Sequence, residues 1–135
     1  MPAFYTLREA NARIPELTTL ILKLQEEGRK LAEIQGEQVA LRIRVRSNGH
    51  SVEEKLAELK KTEEPIEAAI RQGVEQLTAW NIQIKDLERG LVDFPALREG
   101  RTVLLCWLMG EPEVAFWHET TTGFDGRQPV DDKFD

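Results

Sequence analysis

Residues 80–130 read WNIQIKDLERGLVDFPALREGRTVLLCWLMGEPEVAFWHETTTGFDGRQPV. This stretch decides the fold, because the helical repeat of residues 6–80 stops here and strand and turn signals take over. All three Trp, the only Cys and one of the two His of the 135-residue chain fall inside it. Residues 81–86 alternate Ile82 and Ile84 with polar neighbours, as a half-buried strand does. Residues 87–90 turn and end in Gly90, and residues 91–94 form the next strand, stopped by Pro95. A polar loop over 98–101 precedes a nearly unbroken apolar run over 102–109, which reads as a central strand. Gly110, Glu111 and Pro112 turn the chain into a last strand over 113–119. Three Thr, Gly123 and Gly126 indicate a loop, and the Asp-rich tail from Asp131 is expected to fray. The expectation is a three- or four-stranded antiparallel meander.

Working back from this sheet, residues 6–80 read as a long antiparallel helical hairpin. Thr6, Leu7, Arg8 and Glu9 make a capping box. A seam of alternating three- and four-residue steps follows through Leu7, Ala10, Ile14, Leu17, Ile21, Leu24, Gly28 and Leu31. Pro15 removes one helix hydrogen bond and is expected to kink this helix or start a new one. Residues 39–46, VALRIRVR, alternate like a strand but contain no breaker, and we read them as helix. Ser47, Asn48, Gly49 and His50 form the turn, and Ser51 to Glu54 a second capping box. The seam resumes at Val52, Leu56, Leu59, Ile66, Ile70, Gly73 and Leu77, with Glu63 its polar exception and Pro65 a second bend. Leu20, Leu22, Ile34 and Leu41 lie off the seam, so the sheet or a second copy of the chain must cover them. A homodimer is therefore expected.

The fold class is thus α+β, a single domain over 1–135 with the hairpin at 6–80, the sheet at 81–119 and a loop and tail at 120–135. The chain is 41% hydrophobic and 31% charged, with a net charge of −6. Such an acidic surface repels phosphate backbones, so no nucleic-acid partner is expected. No apolar run approaches the ~18 residues of a membrane span, and MPAFYTLREA lacks the basic segment and apolar core of a signal peptide. A lone cysteine fits a reducing compartment, and the expected location is cytoplasmic.

Two constellations carry chemistry. The first is a metal site drawn from Asp86, Asp93, Cys106, Glu111, Glu113, His118 and Glu119, with a divalent ion as the candidate cofactor and His118, Asp93 and Glu111 as its first ligands. Strand register bears on it. If residues 109–112 are a tight loop, Leu108 faces Glu113 and Val103 faces His118. His118 then shares a face with Val103, Leu105, Trp107, Val114 and Phe116, opposite Cys106, Ala115 and Trp117, and a Cys–His pair fails unless a bulge intervenes. On that register Cys106 is a small buried hydrophobe. The second is an acid–base or anion site of Asp86, Asp93, His118 and Arg127, in which Arg127 or His118 partners Asp93. The three Trp as an aromatic pocket, and Arg42, Arg44 and Arg46 with His50 as an anion patch, are weaker; core packing and a solvated charged face account for them. There is no phosphate-binding glycine loop and no G-x-S-x-G.

The segments KDLERGLVDFPALREG, LLCW, GEPEVAFWHE and GFDGRQPV, with the opening FYTLREANARIPEL and the turn NGH, closely resemble a family of small bacterial proteins catalogued as domain of unknown function 2203. The resemblance covers nearly the whole chain. It implies a helical hairpin plus sheet and a bacterial, cytosolic origin, and it assigns no activity and no site residues. The leading functional expectation is a dimeric interaction or structural module without catalysis, its protein partner unknown. The alternative is a metal- or small-anion-binding protein, with hydrolysis among its chemistries, built on Asp86, Asp93, Glu111, His118 and Arg127.

Overall fold

The computed structural model describes residues 3–44 and 49–134. It has two long helices, α1 (Leu7–Arg44) and α2 (Gly49–Ala79), in a hairpin-like arrangement. A five-stranded antiparallel sheet follows, ordered β1 (Gln83–Asp86), β2 (Leu91–Arg98), β3 (Arg101–Leu108), β4 (Phe116–Glu119) and β5 (Gln128–Pro129). The α+β class stands, with five strands where three or four were expected. By compactness the chain divides into Met1–Leu22 with Glu75–Asp135, which holds the sheet, and Lys23–Val74, the distal hairpin.

In the sheet unit, the Thr6 capping box forms. The Glu9 amide donates to Thr6 Oγ1 at 3.1 Å, and the Thr6 amide donates to Glu9 Oε1 at 2.9 Å. Helix α2 ends in a left-handed residue, Asn81, at φ 59°. The Ile82 amide reaches back to Leu77 O at 3.0 Å and the Asn81 amide to Thr78 O at 2.9 Å. This six-to-one and five-to-two pair is a Schellman cap, and the buried Leu77 and Ile82 are its apolar contact. The cap reverses the chain into β1. Strands β2 and β3 join through a two-residue turn, Glu99 and Gly100, both at positive φ (52° and 77°), which suits the twist of a tight hairpin.

Pro95 does not stop β2, which runs on to Arg98. The β1 pairing ends at Asp93, so beyond it β2 has a neighbour on one side only. The Pro95 carbonyl accepts the Tyr5 amide at 2.7 Å, so its missing donor falls on that same open side. In the tail, residues 131–134 turn back onto the sheet. Arg98 holds Asp131 at 2.6 Å and stacks on Trp117 at 4.5 Å, and Phe134 packs edge-on to Trp117.

The two faces of the sheet differ. Val92, Phe94, Ala96, Val103, Leu105, Trp107 and Trp117 share one face by register and are all buried. Tyr5 packs edge-on to Phe94, 5.1 Å between ring centroids. Within the same unit Ala10, Leu17 and Ile21 of α1 are buried as well. The other face carries Leu91, Asp93, Leu104, Cys106, Phe116 and His118.

In the distal hairpin the helices run unbroken through residue 44 and from residue 49. Helix α1 also passes Pro15 and α2 passes Pro65 without a new start. The ambiguous segment is helical as far as Arg44, and its last two residues lie outside the described ones, as do Ser47 and Asn48 of the turn. Gly49 and His50 already belong to α2, so Ser51 sits inside the helix and is not its cap. Ile34 and Gln38 are buried and Leu41 half-buried, so the seam continues through positions assigned off it. Leu22, Val39, Ile43 and Val74 remain exposed.

Candidate metal centre

Asp93, Cys106 and His118 come from three adjacent strands. Asp93 is the direct cross-strand partner of Cys106, and His118 pairs with Leu104, two residues along β3 from Cys106. Paired residues in a sheet point the same way, and so do residues two apart. All three side chains therefore stand on one face, each no more than 2% exposed. A tight loop over 109–112 would have placed Cys106 and His118 on opposite faces. The observed register pairs Val103 with Glu119, one residue further on. Gly110, at φ 108°, and the bridge between Met109 and Glu111 widen the connection, and β4 starts only at Phe116. A one-residue slip turns every side chain of a strand over. Cys106 thus enters the site from which tight-loop reasoning excludes it. The signal lay in the Gly110 to Pro112 turn, whose residue types do not fix its length.

The donor atoms of the three residues lie within 4.8 Å of one another. His118 Nε2 is 3.0 Å from Asp93 Oδ1, and its Nδ1 is 2.8 Å from the Glu119 carbonyl. A carbonyl only accepts, so Nδ1 carries a proton and donates it. Nε2 then faces Asp93 across one shared proton, or across whatever cation replaces it. Burial, and next the charge of Asp93, push the Cys106 thiol up from an ordinary 9.0 to about 12. A cavity of about 180 Å³ opens onto the three residues, lined also by Lys85, Leu91, Leu104, Thr120, Thr122, Gly123 and Phe124.

The other candidate residues lie elsewhere in the sheet unit. Asp86 caps the β1–β2 turn, accepting the Arg89 amide at 3.2 Å. Arg127 does not partner Asp93. Its Nη2 donates to both oxygens of Glu111 at 2.7 and 2.8 Å, and its guanidinium lies over Phe116 and Phe124 at 4.1 and 4.6 Å. Glu111 also accepts the Leu108 amide at 2.7 Å, so its oxygens are committed to fastening the turn. The Trp residues find separate partners. Trp80 lies under Arg13 at 4.4 Å, Trp107 donates to Glu111 O, and Trp117 stacks with Arg98. No aromatic pocket forms among the described residues. Arg42 and Arg44 are exposed, while Arg46 and the His50 side chain lie outside the described residues.

A model for an uncharacterized conserved protein family, DUF2203, matches residues 3–130. The chain belongs to this family. No curated protein and no solved structure matches it. The guide to the chemistry of this DUF2203 chain is therefore its own geometry. No helix among the described residues is long and apolar enough to cross a membrane.

That geometry disfavours a nucleophilic cysteine. Such a thiol needs an imidazole nitrogen as its base, and both nitrogens of His118 are engaged, one by Glu119 and one by Asp93. A thiol held near 12 is also not a thiolate at neutral pH. Nor does the trio add obviously to stability. Buried ionisable pairs cost several kcal/mol of desolvation per ion, and apolar residues of similar size serve a core as well or better. A bound cation would change both conclusions, because it would stabilise the thiolate and offset the charge of Asp93.

Proposed function

We propose that this protein binds one divalent transition-metal ion, zinc by preference, through Asp93, Cys106 and His118. The observation that carries the reading is the convergence of three buried donors of different chemistry within 4.8 Å. Tetrahedral zinc sets its ligand atoms roughly 3.3–3.6 Å apart. The oxygen and nitrogen already sit 3.0 Å apart, and the sulfur needs a shift of about 1 Å at most. Charge supports the same reading. Carboxylate, thiolate and neutral imidazole sum to −2, which a divalent cation cancels inside a buried site. The Nδ1 hydrogen bond to Glu119 orients the ring for ligation through Nε2, as outer partners of metal-bound histidines do. Sulfur and nitrogen donors select against magnesium and calcium.

Three protein ligands leave one position for water or a substrate, the pattern of catalytic rather than structural zinc, so hydrolysis is within its reach. Metal analysis and calorimetric titration of chelator-treated protein test the reading. One zinc per chain is expected, with affinity reduced more than about 100-fold in both His118→Gln and Cys106→Ser. Unchanged affinity in both variants would overturn it. A ligand thiol must stay reduced, which supports a cytoplasmic setting, and the family resemblance adds a bacterial one.

A second reading, compatible with the first, is self-association through the helices. Val39 and Ile43 are 53% and 75% exposed, and they lie four residues apart on one face of α1. Burying such a pair stabilises an interface. Native mass spectrometry tests it, and a bare monomer at every concentration would sink it.

A further inference from the structure

We propose that the cavity over this centre binds a small monocarboxylate, with its carboxylate on the metal's open position and against Lys85. This rests on the metal reading above and goes on to name the class of ligand.

Three observations carry it. The cavity is lined by all three proposed ligands, so it is where a fourth ligand enters. Charge comes next. The loaded centre is neutral, and among the remaining lining residues Lys85 is the only charged one. The Lys85 side chain is exposed and makes no hydrogen bond or ion pair among the described residues. Its place on β1 follows from the register. Gln83 pairs with Asp93, so Lys85, two residues on, takes the same face, and a bulge sets Lys85 and Asp86 together opposite Leu91. One cation beside a neutral metal centre favours a ligand with one negative charge. A monoanion matches it, and a phosphate dianion overshoots.

Size and lining narrow the class. A volume of about 180 Å³ holds roughly six water-sized groups. Its remaining walls are half apolar, from Leu91, Leu104 and Phe124, with hydroxyls from Thr120 and Thr122. Phosphate would turn some oxygens onto the apolar wall and leave them unpaired. A carboxylate with a two- or three-carbon tail places its oxygens at the metal and Lys85 and its tail against Phe124.

Cobalt(II) serves as the probe, because its visible spectrum reports thiolate ligation and any change in the fourth ligand. Chelator-treated protein is loaded with cobalt(II) and titrated separately with acetate, propionate and inorganic phosphate. A saturable spectral change is expected, tighter for propionate than for phosphate. In Lys85→Gln, cobalt loading should be unchanged and propionate binding at least about tenfold weaker. Phe124→Ala should remove the preference for propionate over acetate. A thiolate–cobalt spectrum that no anion moves would overturn this proposal and leave the metal reading standing. Tighter phosphate, or a Lys85→Gln variant that binds propionate normally, would overturn it too. Failure to bind cobalt at all would overturn both.

Discussion

The sheet unit and the distal hairpin are held together by different physics. Among the described residues, Leu24 and Ile34 are the only two buried apolar side chains in Lys23–Val74, whereas the sheet unit buries Phe94, Leu105, Trp107, Trp117 and many more. The hairpin relies on helix propensity, on one seam and on exposed ion pairs such as Arg29 with Glu26 and Lys30 with Glu27, each worth only tenths of a kcal/mol. The sheet unit has enough apolar burial to carry three ionisable side chains in its interior. The buried ionisable side chains sit where surplus stability can accommodate them.

The largest expected effect tests that contrast directly. Phe94→Ala should cost about 3–5 kcal/mol, and Ile34→Ala about 2 kcal/mol, the low end for a core aliphatic, because the thin hairpin can close over the gap. Chemical denaturation of both variants checks this, and equal losses would break the comparison. Next, zinc at 100 times its Kd should raise the stability of the sheet unit by about 2.7 kcal/mol. In hydrogen exchange the amides of β2 and β3 should slow on adding zinc, while those of residues 30–44 should already exchange fast and stay unchanged. Uniform slowing along the chain would show that the two units open together.

A pH dependence sharpens the comparison further. In metal-free protein the native state keeps the Cys106 proton up to about pH 12, while the unfolded chain releases it near 9.0. The unfolded state therefore binds fewer protons in that window, and stability falls as pH rises from 9.0 toward 12. The contribution is fully present below that range. Cys106→Ala should flatten this slope in an alkaline denaturation series. The smallest effect is at the start of α1, where Thr6→Ala removes a cap worth about 1 kcal/mol, measurable as a shift in the thermal midpoint.

The elements were legible because each rests on a local signal. The Thr6 box, the three-and-four seam and the alternation of Ile82 and Ile84 depend on neighbours a few residues apart. What escaped was set at longer range. Pro95 is tolerated because β1 ends at its pairing with Asp93, and residues 131–134 return to the sheet because Arg98 grips Asp131 from the far end of β2. The site failed on a single count of residues between Met109 and Phe116. Asp93 and His118 stood out as polar groups among apolar ones, and only the count decided whether Cys106 joined them.

The two borders of the sheet have a consequence for how the protein meets other chains. An open strand edge is a template for pairing with another strand, and through it for fibrous aggregation. Here one border is β1, four residues long, bulged and bearing Lys85 and Asp86, and the other is β5, two residues ending in Pro129. Charge and a bulge guard one border, and brevity and a missing donor guard the other. Growth of the sheet from molecule to molecule through these two short end strands is therefore disfavoured.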